Sequence, residues 1–220
     1  EEEFGFTQGF FWSPDGKKIA FYRFDERNVR EYQLTYYGDL YPEQYKYKYP
    51  KAGEDNSLIS IHVYDLENAK TTTIPLGDST DIYIPRIKWT QNPSVLSLYR
   101  MNRHQNHLEL LLANTVDGTV QKVYDEVNKY YIDITDHLTF LKNGKEFLLT
   151  SEKDGYRHLY IYGMNGTLIR QLTRGNWEVE DLLGVDEVRG MAYFSSTERS
   201  PMDRDISAVT LNGKQIMKLS

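Results

Sequence analysis

The stretch "FFWSPDGKKIAFYRFD", residues 10–25, holds the reading on which the fold turns. A short aromatic run, a Ser-Pro-Asp-Gly turn and a second aromatic-rich run are the parts of an antiparallel hairpin, because Asp-Gly tolerates the positive φ of a tight turn. The plan returns at "IKWTQNPSVLSLYRMN" (87–102), at "LTFLKNGKEFLLTSEKDG" (138–155) and, in degenerate form, at "LLGVDEVRGMAYFSSTERS" (182–200). A second hairpin follows each copy: "ISIHVYDLENAKTTTIPL" (59–76), "LELLLANTVDGTVQKVY" (108–124), "HLYIYGMNGTLIRQLT" (158–173) and "DISAVTLNGKQIMKLS" (205–220). Four strands per unit, with two of the spacings near about 40 to 50 residues, is the plan of a propeller blade. The expected fold class is therefore all-β, with about four consecutive four-stranded blades of a β-propeller near 10–77, 86–127, 137–174 and 181–220.

Composition agrees with strands. The chain has 18 Tyr and 9 Phe against 3 Trp, and flat rings pack well on pleated surfaces. Asp15-Gly16, Asp117-Gly118, Asn143-Gly144, Asn165-Gly166 and Asn212-Gly213 each separate segments that read as strands. "SLISIHVYDL" alternates Ile59, Ile61 and Val63 against Ser60, His62 and Tyr64, a period of two. With 40% hydrophobic and 26% charged residues, the 220-residue chain is composed to bury a core. A net charge of -6 argues against nucleic acid or an anionic membrane as the main partner and leaves cationic ligands as the natural expectation. The absence of cysteine removes disulfides, thiolate nucleophiles and Cys-ligated metals. Neither a targeting segment nor an apolar run near the length of a membrane span is visible, and the sequence reads as an internal piece of a longer chain.

The first unit is lengthened by "VREYQLTYYGDLYPEQYKYKYPKAGEDN", residues 29–56, in which Tyr32, Tyr36, Tyr37, Tyr41, Tyr45, Tyr47 and Tyr49 crowd together. This insertion is either a surface hairpin whose rings lie on their own blade or an arm that buries them against a partner. The opening "EEE" also leaves two readings open. Glu1, Glu2 and Glu3 are a solvated leader whose repulsion water screens, or a site that needs fixed negative charge.

Motifs for chemistry are few. No G-x-S-x-G elbow, H-E-x-x-H helix, P-loop or G-x-G-x-x-G occurs. His104 and His107 in "RHQNHLEL" fall in an expected turn with no helix to align them, so neither a metal site nor a cofactor is expected. Tyr156, Arg157 and His158 in "DGYRHLYIY" read as a hydrogen-bonded or ion-paired corner at a strand entry. Asn165-Gly166-Thr167 matches a glycosylation sequon, but Asn-Gly is read as a hairpin turn.

"EEEFGF" ahead of "FFWSPDGKKIAFYRFDE", the Tyr-rich insertion closing on "YPKAGEDN", then "SEKDGYRHLYIY" and "RGNWEVEDLLGVDE" occur in the order found in the dipeptidyl peptidase IV group of the prolyl oligopeptidase family. The chain resembles the propeller of these serine exopeptidases over essentially all 220 residues. The resemblance implies an eight-bladed propeller stacked on an α/β-hydrolase domain, with this chain supplying about four of the blades. It implies further that two adjacent propeller glutamates grip the free N-terminal ammonium of a peptide substrate. Aligning "EEEFGF" with that motif places the pair at Glu2 and Glu3. An ammonium offers three donors, and charge-assisted bonds to two carboxylates are worth about 1.5 to 3 kcal/mol each. Holding the N-terminus at a fixed distance from a nucleophile makes such an enzyme count residues.

By the same resemblance, the serine, histidine and carboxylate of the triad lie in the hydrolase domain, and an arginine that orients the substrate carbonyl lies in an earlier blade. This chain alone is thus expected to be inactive. Its parent would release short N-terminal peptides, with cleavage after proline the family expectation, and would dimerise through the 29–56 arm. Relatives from animals carry propeller disulfides, so the lack of cysteine favours a bacterial parent, periplasmic or secreted. Two other functions fit a propeller without catalytic motifs: a non-catalytic module for protein–protein interaction, and a glycan-acting domain. The glycan reading suits sequential Glu2 and Glu3 poorly, since glycosidase carboxylates face each other across a sugar at about 5 to 9.5 Å.

Overall fold

The structure, a computed structural model, describes residues 4–5 and 7–220. Its strands, in chain order, are β1 (Phe10–Trp12), β2 (Lys18–Asp25), β3 (Glu31–Tyr36), β4 (Glu43–Lys48), β5 (Leu58–Asp65), β6 (Lys70–Thr73), β7 (Ile82–Tyr83), β8 (Ile87–Trp89), β9 (Val95–Asn102) and β10 (His107–Asn114). They continue with β11 (Val120–Val127), β12 (Thr139–Phe140), β13 (Glu146–Ser151), β14 (His158–Gly163), β15 (Leu168–Gln171), β16 (Val179–Asp186), β17 (Met191–Ser196), β18 (Asp205–Thr210) and β19 (Ile216–Lys218). No helix is long and apolar enough to cross a membrane among the described residues.

Four antiparallel meanders follow one another along the chain. The first sheet is ordered β1-β2-β5-β6, the third β12-β13-β14-β15 and the fourth β16-β17-β18-β19. In the second, β11-β10-β9, the innermost position is shared by two short strands, β7 opposite Met101 and Asn102 and β8 opposite Leu96 to Leu98. Pro85 lies between them and has no N–H to give to the ladder. Pairing resumes at once, since Tyr99 N–H donates to the Arg86 carbonyl at 2.9 Å. The inner strand of this sheet therefore begins at Ile82, four residues ahead of the repeat visible in the sequence.

Turn glycines hold the meanders together. Gly16 at φ 70° closes the β1–β2 hairpin. Gly166 at φ 87° is doubly constrained, because a Cβ there would also lie 2.9 Å from the Val123 carbonyl oxygen of the neighbouring sheet.

Packing runs face to face in sequence order. Ala20, Ile61 and Val63 of the first sheet meet Trp89, Leu96, Leu98, Leu111 and Ala113 of the second. The other face of the second sheet, with Tyr99, Met101, Leu108, Leu110 and Leu112, meets Phe140, Phe147, Leu149, Tyr160 and Tyr162 of the third. Leu148, Leu159 and Ile161 then turn to Val179, Ala192, Phe194 and Val209 of the fourth. The interior strands β10, β13 and β14 are thus buried on both faces, which is why "LLLA" (110–113) and "LYIYG" (159–163) run without polar interruption. Polar clasps cross the seams as well: Trp89 Nε1–H donates to Phe11 O at 3.0 Å and Arg170 Nη1 to Leu211 O at 2.7 Å. Among the described residues three seams join four sheets, and no core cluster joins the fourth sheet to the first, where a closed ring of four would need a fourth seam. Phe10 and Trp12 remain about half exposed on the outer face of the first sheet.

Residues 29–56 leave the first sheet between β2 and β5 as a separate ribbon, β3 paired with β4. Its register places Tyr32 opposite Tyr47 and Leu34 opposite Tyr45, so one face carries Tyr32, Tyr36, Tyr45 and Tyr47 and the other Gln33, Thr35, Gln44 and Lys46. Neighbouring rings on the aromatic face stand 5.7 to 6.4 Å apart.

Candidate functional site

Glu1, Glu2 and Glu3 lie outside the described residues. Phe4, the next residue, is anchored by three contacts. Its ring meets Tyr83 edge-on at 5.2 Å, it packs on the core between the second and third sheets, and its carbonyl accepts from Arg86 Nη1 at 2.8 Å. Arg86 is only 20% exposed and also pairs with Asp136, Nε to Oδ1 at 2.5 Å and Nη2 to Oδ2 at 3.3 Å. The Arg86 guanidinium holds the Asp136 carboxyl below its ordinary value. Beside Phe4 a cleft of about 730 Å³ opens towards the root of the arm at Tyr49 and Lys51, the end of β2 at Phe24, and the β9–β10 turn at Arg103 and His104. Arg103 pairs with Asp81 across it at 3.2 Å.

The connection from β11 to β12 carries further polar ties. Asp133 accepts from Arg157, which also pairs with Glu152, at 3.0 and 2.8 Å. His137 bonds Thr150 at 2.9 Å and Asp181 at 2.8 Å. His158 is buried, with Nδ1 3.1 Å from Thr173 Oγ1 and Nε2 3.0 Å from Gly175 O. Because Thr173 Oγ1 already accepts the Leu159 N–H, its own proton is free for Nδ1, and Nε2–H donates to Gly175. The expected corner at "YRH" is therefore ion-paired through Arg157 and hydrogen-bonded through His158.

A second polar cluster lies between the second and third sheets. The Tyr124 hydroxyl donates to Glu126, and Tyr160 OH to Asp154 at 2.8 Å. Lys153 Nζ sits 4.0 Å from the Tyr160 ring centroid and donates to Tyr162 OH at 2.7 Å. Burial pushes the Tyr124 and Tyr160 phenols far up and that of Tyr162 to about 12, so all three remain protonated donors at neutral pH. The contact across the two sheets is made by rings, Tyr124 meeting Tyr162 edge-on at 5.2 Å, and burial lowers the Lys153 ammonium below its ordinary value.

His107 is the first residue of β10, one step beyond the turn expected for it, and meets Glu109 and Asp125 with ligand-type atoms within 4.8 Å of one another. The space among them is taken by an ammonium: Lys122 Nζ lies 2.7 Å from Asp125 and 3.3 Å from Glu109, and Arg100 pairs with Glu109 at 2.6 Å. Two cations thus balance two carboxylates. Asn165-Gly166-Thr167 forms the β14–β15 turn, with Asn165 Oδ1 accepting the Thr167 N–H at 3.1 Å. Arg86 and Asp136 carried no signal in the sequence beyond a proline ahead of a strand, since the partners stand fifty residues apart.

Consecutive antiparallel four-stranded sheets, each packed face to face on the next, define a β-propeller segment. The whole chain, residues 1–220, matches the family described as the dipeptidyl peptidase IV (DPP IV) N-terminal region, and it belongs to that family. It is 28% identical over 232 residues to dipeptidyl peptidase 4 of Trichophyton rubrum and, over the same length, to that of Arthroderma otae, covering 100% of this chain and 30% of each relative. The crystal structure of Porphyromonas gingivalis dipeptidyl peptidase 4 superposes with a TM-score of 0.91 at 40% identity, covering 100% of this chain and 31% of that one. The chain spans about a third of the length of these relatives.

Proposed function

We propose that this chain is the segment of a dipeptidyl peptidase IV-like serine exopeptidase that recognises the substrate N-terminus and gates access to the active site. Glu2 and Glu3 grip the ammonium of a peptide, whose bond is cut by a triad in an α/β-hydrolase domain of the same parent. The propeller of that parent has eight blades, and this segment alone is inactive. The observation that carries the reading is the anchoring of Phe4: the residue directly after the acidic pair is held by Arg86 and Tyr83 beside an open cleft, as a rigid recognition element requires. Repulsion between adjacent carboxylates is relieved only when a cation sits between them, so free-amine peptides are preferred over blocked ones. We place the parent in a bacterium, in the periplasm or outside the cell, a source that the 40% identity to the Porphyromonas gingivalis chain favours.

In the full-length enzyme, Glu2→Gln or Glu3→Gln should lower kcat/KM for free-amine dipeptidyl substrates by about 10² to 10³, because one lost contact weakens both binding and alignment. N-acetylated substrates should be poor for the wild type and lose little more. Equal fractional losses for both would show that the acids serve folding rather than recognition.

A further inference from the structure

We propose that Arg86 is a positioning residue for substrate recognition, clamping the backbone immediately after the Glu2-Glu3 pair to the propeller. The proposal rests on the reading of that pair as the ammonium grip. Arg86 sits where Pro85 interrupts the inner strand of the second sheet, and its own carbonyl is locked into the ladder by Tyr99 N–H at 2.9 Å. Its guanidinium then works in two directions. Nε and Nη2 fork onto the Asp136 carboxylate, while Nη1 donates to the carbonyls of Phe4 and Pro85, both at 2.8 Å. Asp136 belongs to the connection between β11 and β12, whose neighbour His137 is tied to Asp181 of the fourth sheet. One side chain therefore joins the N-terminal segment, the second sheet and the route to the third.

Two carboxylates that bind one cation must be held close against their mutual repulsion before substrate arrives, and a fixed backbone on their C-terminal side supplies that preorganisation. Only a planar guanidinium spans an acid on one edge and carbonyls on the other; an ammonium offers a point charge without the fork. Arg86→Lys should consequently keep the charge and lose the clamp.

The test is steady-state kinetics of the full-length enzyme with a fluorogenic free-amine dipeptide and its N-acetyl counterpart, alongside thermal unfolding. Arg86→Ala and Arg86→Lys should each lower kcat/KM for the free-amine substrate about tenfold, chiefly through KM, and leave the acetylated substrate unaffected. Added to Glu3→Gln, Arg86→Lys should cost less than about twofold more, because both changes act on one contact. If Glu3→Gln is selective for free amines but both Arg86 variants stay within twofold of wild type, the clamp is overturned and the glutamate reading stands. Arg86 losses shared equally by both substrates and accompanied by a lower melting temperature would overturn it too, as a purely structural role. If Glu3→Gln itself affects both substrates equally, the glutamate reading falls and the clamp falls with it.

Discussion

Single residues in the turns carry conformations that their side chains either suit or resist. Ala69, in the exposed β5–β6 turn, has φ 53°, a left-handed conformation that costs an L-residue about 1 to 2 kcal/mol. Ala69→Gly removes that cost and adds about 0.5 to 1 kcal/mol of unfolded-state entropy, so a net gain of about 0.5 to 1 kcal/mol is expected in urea unfolding. Gly166→Ala is the opposite case. Positive φ combines there with a backbone oxygen 2.9 Å from the new methyl group, and the oxygen belongs to another sheet that cannot yield cheaply. We expect a loss above about 2 kcal/mol in the same measurement.

At the scale of the element, the contrast between blade and arm is decisive. Phe194 is fully buried between the third and fourth sheets, stacked with Trp177 at 6.2 Å, and Phe194→Ala should cost about 3 to 5 kcal/mol by calorimetry. The β3–β4 ribbon has no such support: Tyr36, Tyr37, Leu40, Tyr41 and Tyr45 are all more than half exposed. A lone two-stranded ribbon is marginally stable in water, so its tyrosine face suits burial against another surface. We propose that this surface is a second copy of the parent enzyme. Deleting residues 29–56 from the full-length protein should convert dimers to monomers in sedimentation, and an unchanged dimer would remove the idea.

For the molecule as a whole, the three buried or half-buried histidines set the response to acid. Burial lowers His62, His137 and His158, the last two only partly opposed by hydrogen bonds to Asp181 and Gly175 and by the nearby charges of Asp136, Asp154 and Glu178. Between their folded values and the usual value near about 6.5, the unfolded chain binds more protons than the folded one. Stability is therefore fully present above about 6.5 and is lost as the pH falls through the depressed folded values. Melting temperatures should drop between pH 7.5 and 5, with a shallower slope in His158→Asn. A further loss is expected below about 4, where Asp136 leaves Arg86 and Asp25, lowered to about 2 chiefly by Arg27, approaches its own protonation.

Turn dipeptides such as Asp15-Gly16 and Asn143-Gly144, and the aromatic and apolar runs between them, were enough by themselves to mark four meanders and the place of the insertion in the first, but not the form that insertion takes. Their information is local: a hairpin's register and its turn are encoded within about ten residues. Alternation in "SLISIHVYDL" and its absence in "LLLA" likewise reflect sheets packed on one side or two, although which seam each leucine enters is settled only when the sheets dock. A substrate role for Glu2 and Glu3 is an expectation that comes only from a resemblance carried by short motifs. The contacts that hold Phe4 had no local signal at all. Phe4 and Arg86 are separated by 82 residues and Arg86 and Asp136 by 50, and Asp125 reaches His107 only across the β10–β11 ladder. Such pairs form because the pairing of strands and the docking of sheets bring together charges that lie far apart in the chain, and that condition exists only in the tertiary structure.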